Sequence, residues 1–116
     1  MTASDLRDRH CRPYHEGDSA LTAAQATALM AALHADWTLE ADSREISRRC
    51  RFANYYQTIA FVNALAWVAH AEDHHPDLEV GYNRCRIRYS THAIGGLSEN
   101  DFICAARIDT LLPATG

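Results

Sequence analysis

Residues 73–92 read Asp73-His-His-Pro-Asp-Leu-Glu-Val-Gly-Tyr-Asn-Arg-Cys-Arg-Ile-Arg-Tyr-Ser-Thr-His92, and the periodicity of this stretch decides the architecture. Leu78, Val80 and Tyr82 alternate with polar or small residues. Cys85, Ile87, Tyr89 and Thr91 then alternate with Arg84, Arg86, Arg88 and Ser90. A period of two marks half-buried strands, and a turn near Asn83 folds the two runs into a hairpin. Pro76 disfavours helical geometry at His75, so a helix arriving from the N-terminal side must stop just before it.

Such a helix does arrive. From Asn54 to about Asp73 there is no Gly or Pro. Phe52, Tyr55, Ile59, Val62, Ala66 and Ala69 step by three and four along one side, and Tyr56, Asn63, Trp67, His70 and His74 along another. Two lined faces predict a helix that packs on a sheet and also touches something else, such as another subunit. Upstream, Ile46, Cys50 and Phe52 alternate with Glu45, Ser47, Arg49 and Arg51. Trp37-Thr-Leu-Glu40 with the turn Ala41-Asp-Ser43 supplies the partner strand of a first hairpin. Thr22-Ala-Ala-Gln25 has the form of a capping box, and it opens a helix carrying Ala26, Leu29, Met30 and Leu33 that ends near His34.

Downstream, Gly95-Gly96 gives a flexible connection. Ser98-Glu-Asn-Asp101 caps a last helix with Phe102, Ala105, Ala106 and Asp109 on one side. Residues 1–19 are polar, lack periodicity and contain Pro13 and Gly17, so they read as an arm that is ordered only if it docks. The order α-β-β-α-β-β-α predicts an α+β fold: a four-stranded antiparallel sheet with three helices on one face. The expected division is an arm, 1–19, and a domain, 20–116. Strand order cannot be read from the pattern.

At 116 residues the chain is long enough for one hydrophobic core. Its net charge of −4 argues against non-specific nucleic-acid binding, which needs a basic face. The first ten residues have no apolar run like that of an export signal, and the run Ile59–Ala69 is too short to span a bilayer. The expectation is a soluble, cytoplasmic protein without membrane or nucleic-acid partners. Cys11, Cys50, Cys85 and Cys104 form no C-x-x-C pair, so reduced thiols are expected.

The chemistry-bearing residues cluster around the second hairpin. His74 and His75 sit where the long helix meets the next strand, and His92 closes that strand's partner. In a regular hairpin these ends lie side by side, so the three imidazoles converge. Imidazole moves protons near neutral pH because both of its forms are populated there. Asp73 and Asp101 are the carboxylates that could orient one of them. Each feature also has a plainer account. His-His-Pro suits a helix end, Asp101 suits a helix start, and Trp67 and Tyr56 suit a core or an interface. A metal site is the other reading of this region, because His70 and His74 have ligand spacing on a helix and Asp73, His75 and His92 could complete the set. The run His-Ala-Glu-Asp-His, however, is not H-E-x-x-H, so no metal is expected.

The spaced signature His70-x-x-x-His74-His75-Pro76, five residues, Tyr82, nine residues, His92, eight residues, Asp101 resembles that of the pterin-4a-carbinolamine dehydratases. Phe61-Val-Asn63, Val80-Gly-Tyr-Asn83 and Gly95-Gly-Leu-Ser98 add bacterial character, and the likeness covers about residues 20–112. It implies a 4a-hydroxytetrahydrobiopterin dehydratase that converts the 4a-carbinolamine to quinonoid dihydropterin and water. No cofactor or metal is implied. A homodimer or homotetramer is, together with a place in recycling the pterin of aromatic amino-acid hydroxylases. By resemblance, His74 and His92 are the acid/base pair and His75 chiefly holds the pterin. Asp73, Pro76, Ser90 and Thr91 line the ring, and Asp101 supports the site. His70 stands where animal members carry glutamate. The alternative is a non-catalytic binding, assembly or transcription-coactivator-like module on the same scaffold, for which degraded active-site positions would be expected.

Overall fold

The computed structural model describes residues 1–113, so the last three residues of the expected 20–116 domain lie outside the described residues. The elements are α1 Ala3–Arg7, α2 Ala23–Met30, β1 Trp37–Glu40, β2 Glu45–Arg51, α3 Tyr55–Glu72, β3 Asp77–Val80, β4 Arg84–Tyr89, a 3-10 turn His92–Ile94, and α4 Glu99–Asp109. The four strands form one antiparallel sheet in the order β1-β2-β4-β3. The second strand of each hairpin is therefore central, and β2 and β4 pair from Ile46↔Tyr89 to Arg51↔Arg84.

The α+β class and both hairpins match the sequence expectation, with one more helix than the three expected. The addition is α1, inside the segment read as an arm. Thr2 caps it through a reciprocal box with Asp5, and its one large apolar residue, Leu6, is fully buried in the core. A five-residue helix is too short to show a period. Docking supplies the burial that orders it.

Ile46 and Cys50 of β2 and Cys85, Ile87 and Tyr89 of β4 point into a core shared with Phe61, Leu65, Leu97, Phe102 and Ile103. Arg48 occupies the same inward parity and is 3% exposed. Its charge is met by Asp109 at the end of α4, Nη1 to Oδ1 2.6 Å. Asp109 also accepts hydrogen bonds from the Trp37 indole and the His34 backbone N–H. This buried pair ties β2 and β1 to α4.

The buried face of α3 differs from the expected one. Thr58, Phe61, Leu65 and Ala69 are buried, while Tyr55, Tyr56 and Trp67 are among the exposed large side chains. The helix is apolar around much of its circumference, so spacing alone does not choose which stripe meets the sheet. Thr58 lies on the buried side, its hydroxyl proton shared between the carbonyl of Asn54 one turn back and that of Tyr82, which links α3 to the β3–β4 turn. Among the described residues no helix is long and apolar enough to cross a membrane.

Candidate active site

The end of α3 aims the first histidine. Asp73 adopts a left-handed conformation, φ 49°, which aspartate tolerates better than most residues. The His74 N–H then bonds the Ala69 carbonyl at 3.1 Å, the wrap that ends many helices. The chain reverses, and Pro76 leads it into β3. The β3–β4 register, Asp77↔Arg88, when continued backwards, sets His75 abreast of Ser90 and His74 abreast of Thr91. The convergence expected from topology therefore occurs. His92 does not close the strand, however. β4 ends at Tyr89, Thr91 bridges to Gly96, and His92 starts the 3-10 turn.

An open cleft of about 490 Å³ is lined by Asp73, His74, His75, Pro76, Ser90, Thr91 and His92, with further walls from Arg12, Pro13, Tyr14, Asp77, Ala93 and Asn100. All three signature histidines and four of the expected lining residues thus share one depression. His70 does not. It is exposed on α3 and is not part of the cleft wall.

Beneath the cleft, His74 Nε2 lies 2.6 Å from Asp101 Oδ1. Asp101 is fully buried, and its other oxygen accepts from the Thr91 hydroxyl at 2.8 Å and the Ser98 N–H at 2.9 Å. Ser98 Oγ lies 2.7 Å from Thr91 Oγ1 and accepts from the Asn100 N–H. Since Thr91 gives its proton to the carboxylate, the Ser98 hydroxyl donates to Thr91, and every partner in the chain is satisfied. The capping box of α4 is therefore also the support of His74.

With Nε2 donating to Asp101, the Nδ1 atom is left for the cleft. Burial pushes the His74 pKa down, but the Asp101 hydrogen bond and charge outweigh it and the net direction is up. Tyr89 adds rigidity. Its ring stacks on the imidazole at 5.4 Å and 12°, and its hydroxyl donates to the His74 carbonyl at 3.2 Å. His92 is the contrast: its side chain is 76% exposed, and its nearest carboxylate is Asp77, 3.9 Å away. The arrangement presents one half-buried, charge-supported imidazole and one solvent-facing imidazole to the same volume, which suits moving protons at two edges of a bound molecule.

Among the described residues no three His, Cys, Asp or Glu side chains gather to hold a metal ion. The helical spacing of His70 and His74 makes no site, because His74 turns inward to Asp101 while His70 stays on the surface. Sequence reasoning missed Tyr89 as the platform under His74, and Arg12, Pro13 and Tyr14 as a wall. The parity of Tyr89, two before Thr91, could have suggested the first. Nothing in the polar arm signals the second.

The family model of pterin 4 alpha carbinolamine dehydratase matches residues 19–111. Among similar proteins, a candidate pterin-4-alpha-carbinolamine dehydratase of Nitrosomonas eutropha is 61% identical, covering 93% of this chain and 94% of the relative. One so named from Legionella pneumophila strain Corby is 51% identical over 94% and 96%. A crystal structure of a transcriptional coactivator/pterin dehydratase from Brucella melitensis superposes with TM-score 0.77 at 25% identity, covering 82% of this chain and all of the other. A pterin dehydratase-like protein described as a RuBisCO assembly factor in the alpha-carboxysome superposes with TM-score 0.58 at 28% identity, over 67% of this chain and 90% of the other.

Proposed function

The chain belongs to the pterin 4 alpha carbinolamine dehydratase family of hydro-lyases, and from that premise we propose that the cleft removes water from a 4a-hydroxytetrahydropterin by histidine acid/base catalysis. The observation that carries this reading is the shared cleft: His74, His75 and His92 line one volume, with His74 held by a buried carboxylate.

In the proposed reaction, His74 is the acid. Its supported, protonated ring donates from Nδ1 to the 4a-hydroxyl as the C4a–O bond breaks, and water departs with the bonding pair. The N5 lone pair forms the N5=C4a double bond, and the N5 proton passes to His92 as base. The product is quinonoid dihydropterin. His75 and the residues Asp73, Pro76, Ser90 and Thr91 hold the ring. Each positioned proton transfer of this kind is worth about 10²–10⁴-fold. No step calls on a metal or an organic cofactor.

Such an activity restores a pterin that a hydroxylase has consumed, and recycling for an aromatic amino-acid hydroxylase in the cytoplasm is the role we assign. A homodimer or homotetramer is the proposed assembly. Tyr56 and Trp67 of α3 are 83% and 75% exposed, a large apolar display for a monomer. The binding-module alternative is supported by the names of two structural relatives. Against it stands the intact constellation of this chain: His74, His75 and His92 line one cleft, and Asp101 backs His74.

Stopped-flow absorbance of 4a-hydroxytetrahydropterin decay tests the reading with wild type, His74→Ala and His92→Ala. Catalysed decay in the wild type and a fall of about 10²–10⁴-fold in kcat in each variant is expected. Wild-type decay at the uncatalysed rate would end it.

A further inference from the structure

The arm that precedes the family-matched segment is strapped across one side of the cleft. It is pinned at two points that flank the catalytic support. Glu72, the last residue of α3 and two before His74, accepts the Cys11 N–H at 2.8 Å and pairs with His10 at 3.0 Å. Asn100, the residue before Asp101, is 5% exposed and makes a reciprocal pair with the Arg12 backbone. Its Oδ1 accepts the Arg12 N–H at 3.0 Å and its Nδ2 donates to the Arg12 carbonyl at 2.6 Å. Leu6 in the core and the Arg9–Glu99 ion pair hold the segment upstream.

This anchoring has a consequence at residues 12–14. The backbone of Arg12 is committed to Asn100, while its guanidinium lies 3.9 Å over the Tyr14 ring. Both residues face the same cleft as His74, His75 and His92. A guanidinium stacked on a phenol is a flat, cationic surface that carries hydrogen-bond donors and no acceptors. Its complement is a planar, electron-rich heterocycle with a carbonyl oxygen at its edge.

We propose that Arg12 and Tyr14 form a substrate-binding wall of the pterin site, the stacked pair covering the flat ring and Arg12 donating to its 4-oxo oxygen. The inference rests on the dehydratase reading, because the 4-oxo group neighbours C4a, the carbon from which water departs. Arg12 serves binding rather than chemistry. The 4-oxo oxygen is neither the group that leaves nor the atom that loses a proton, so Arg12 contacts it alike in the substrate and in the transition state. An interaction equally strong in both states moves KM and leaves kcat alone.

The test uses the full chain with Arg12→Ala, Tyr14→Ala and, as a control in the same segment but off the cleft wall, Glu16→Ala. Steady-state kcat and KM are read from carbinolamine decay, and the Kd of stable 7,8-dihydrobiopterin is read independently by its fluorescence. KM and Kd should rise about tenfold or more in Arg12→Ala, as for a charged hydrogen bond. Both should rise by a smaller factor in Tyr14→Ala, with kcat within about twofold of wild type and Glu16→Ala unchanged. KM and Kd unchanged in both wall variants, or a loss confined to kcat, overturns the wall. A wild type that neither converts the carbinolamine nor binds the pterin overturns the dehydratase reading instead.

Discussion

His74 and Asp101 meet through a 2.6 Å contact between an imidazole nitrogen and a carboxylate that solvent does not reach. One comes from the exit of a helix and the other from the third position of the next long helix, 27 residues on. The same carboxylate closes the N-cap of α4, so helix capping and histidine orientation are one hydrogen-bond network. A disturbance of either reaches the other.

Asp101→Asn keeps the shape and removes the charge. Burial lowers the His74 pKa, and the two largest influences that raise it, a hydrogen bond and a charge, both come from Asp101. The His74 pKa should therefore fall, and the alkaline limb of kcat should move to lower pH. At pH 7 kcat should drop about 10²-fold or more. A pH–rate profile with its alkaline limb in the wild-type position would refute the role of the dyad.

The same shift makes a statement about stability. A histidine whose folded pKa lies above its ordinary 6.5 binds its proton more tightly when folded. Its contribution is fully present below pH 6.5 and is lost as pH rises through the raised value. Urea unfolding across that window should show wild-type stability declining, with a flatter profile in His74→Gln. Equal slopes in the two proteins would contradict the linkage.

Asp109→Ala should destabilise by roughly 3–5 kcal/mol, because it strands a buried guanidinium. Arg48 is 3% exposed and its strongest partner is Asp109. The double variant Arg48→Met/Asp109→Ala should recover part of the loss, since an apolar side chain needs no partner. Urea midpoints decide this, and a loss below about 1 kcal/mol in the single variant would show that solvent reaches Arg48.

Cys11 and Cys104 bring the strap and α4 together with sulfurs 3.6 Å apart. Oxidised glutathione should link them, forming one S–S bond and releasing two molecules of reduced glutathione. Of the four cysteines, two should then titrate after denaturation in the absence of reductant, and Cys11→Ser should abolish the loss. Four titratable thiols after prolonged treatment would show that the pair cannot reach bonding geometry.

Much of the site was written locally. His74, His75 and Pro76 are consecutive, and a hairpin returns the chain to Thr91 and His92, so short-range pairing places them together. The signature spacing added Asp101, and the sequence left open whether it or Asp73 orients an imidazole. Arg48 was harder. Its inward parity was visible, but a charge on a core face has meaning only once its partner, 61 residues away, is known. The buried stripe of α3 differs from the expected one because alanines and aliphatics surround that helix, leaving its packing against the core to choose the side that is buried.

The amino-acid order alone therefore determined the four strands, the three longer helices, the hairpins and the histidine trio, since periods of two and 3.6 and a proline act over a few residues. Tertiary structure alone decided that β2 lies beside β4, that Asp101 backs His74, and that residues 12–14 wall the cleft. Those outcomes depend on contacts between distant segments, whose free energy comes from burial and from pairing groups that water has left. No local pattern records which distant partner will supply them.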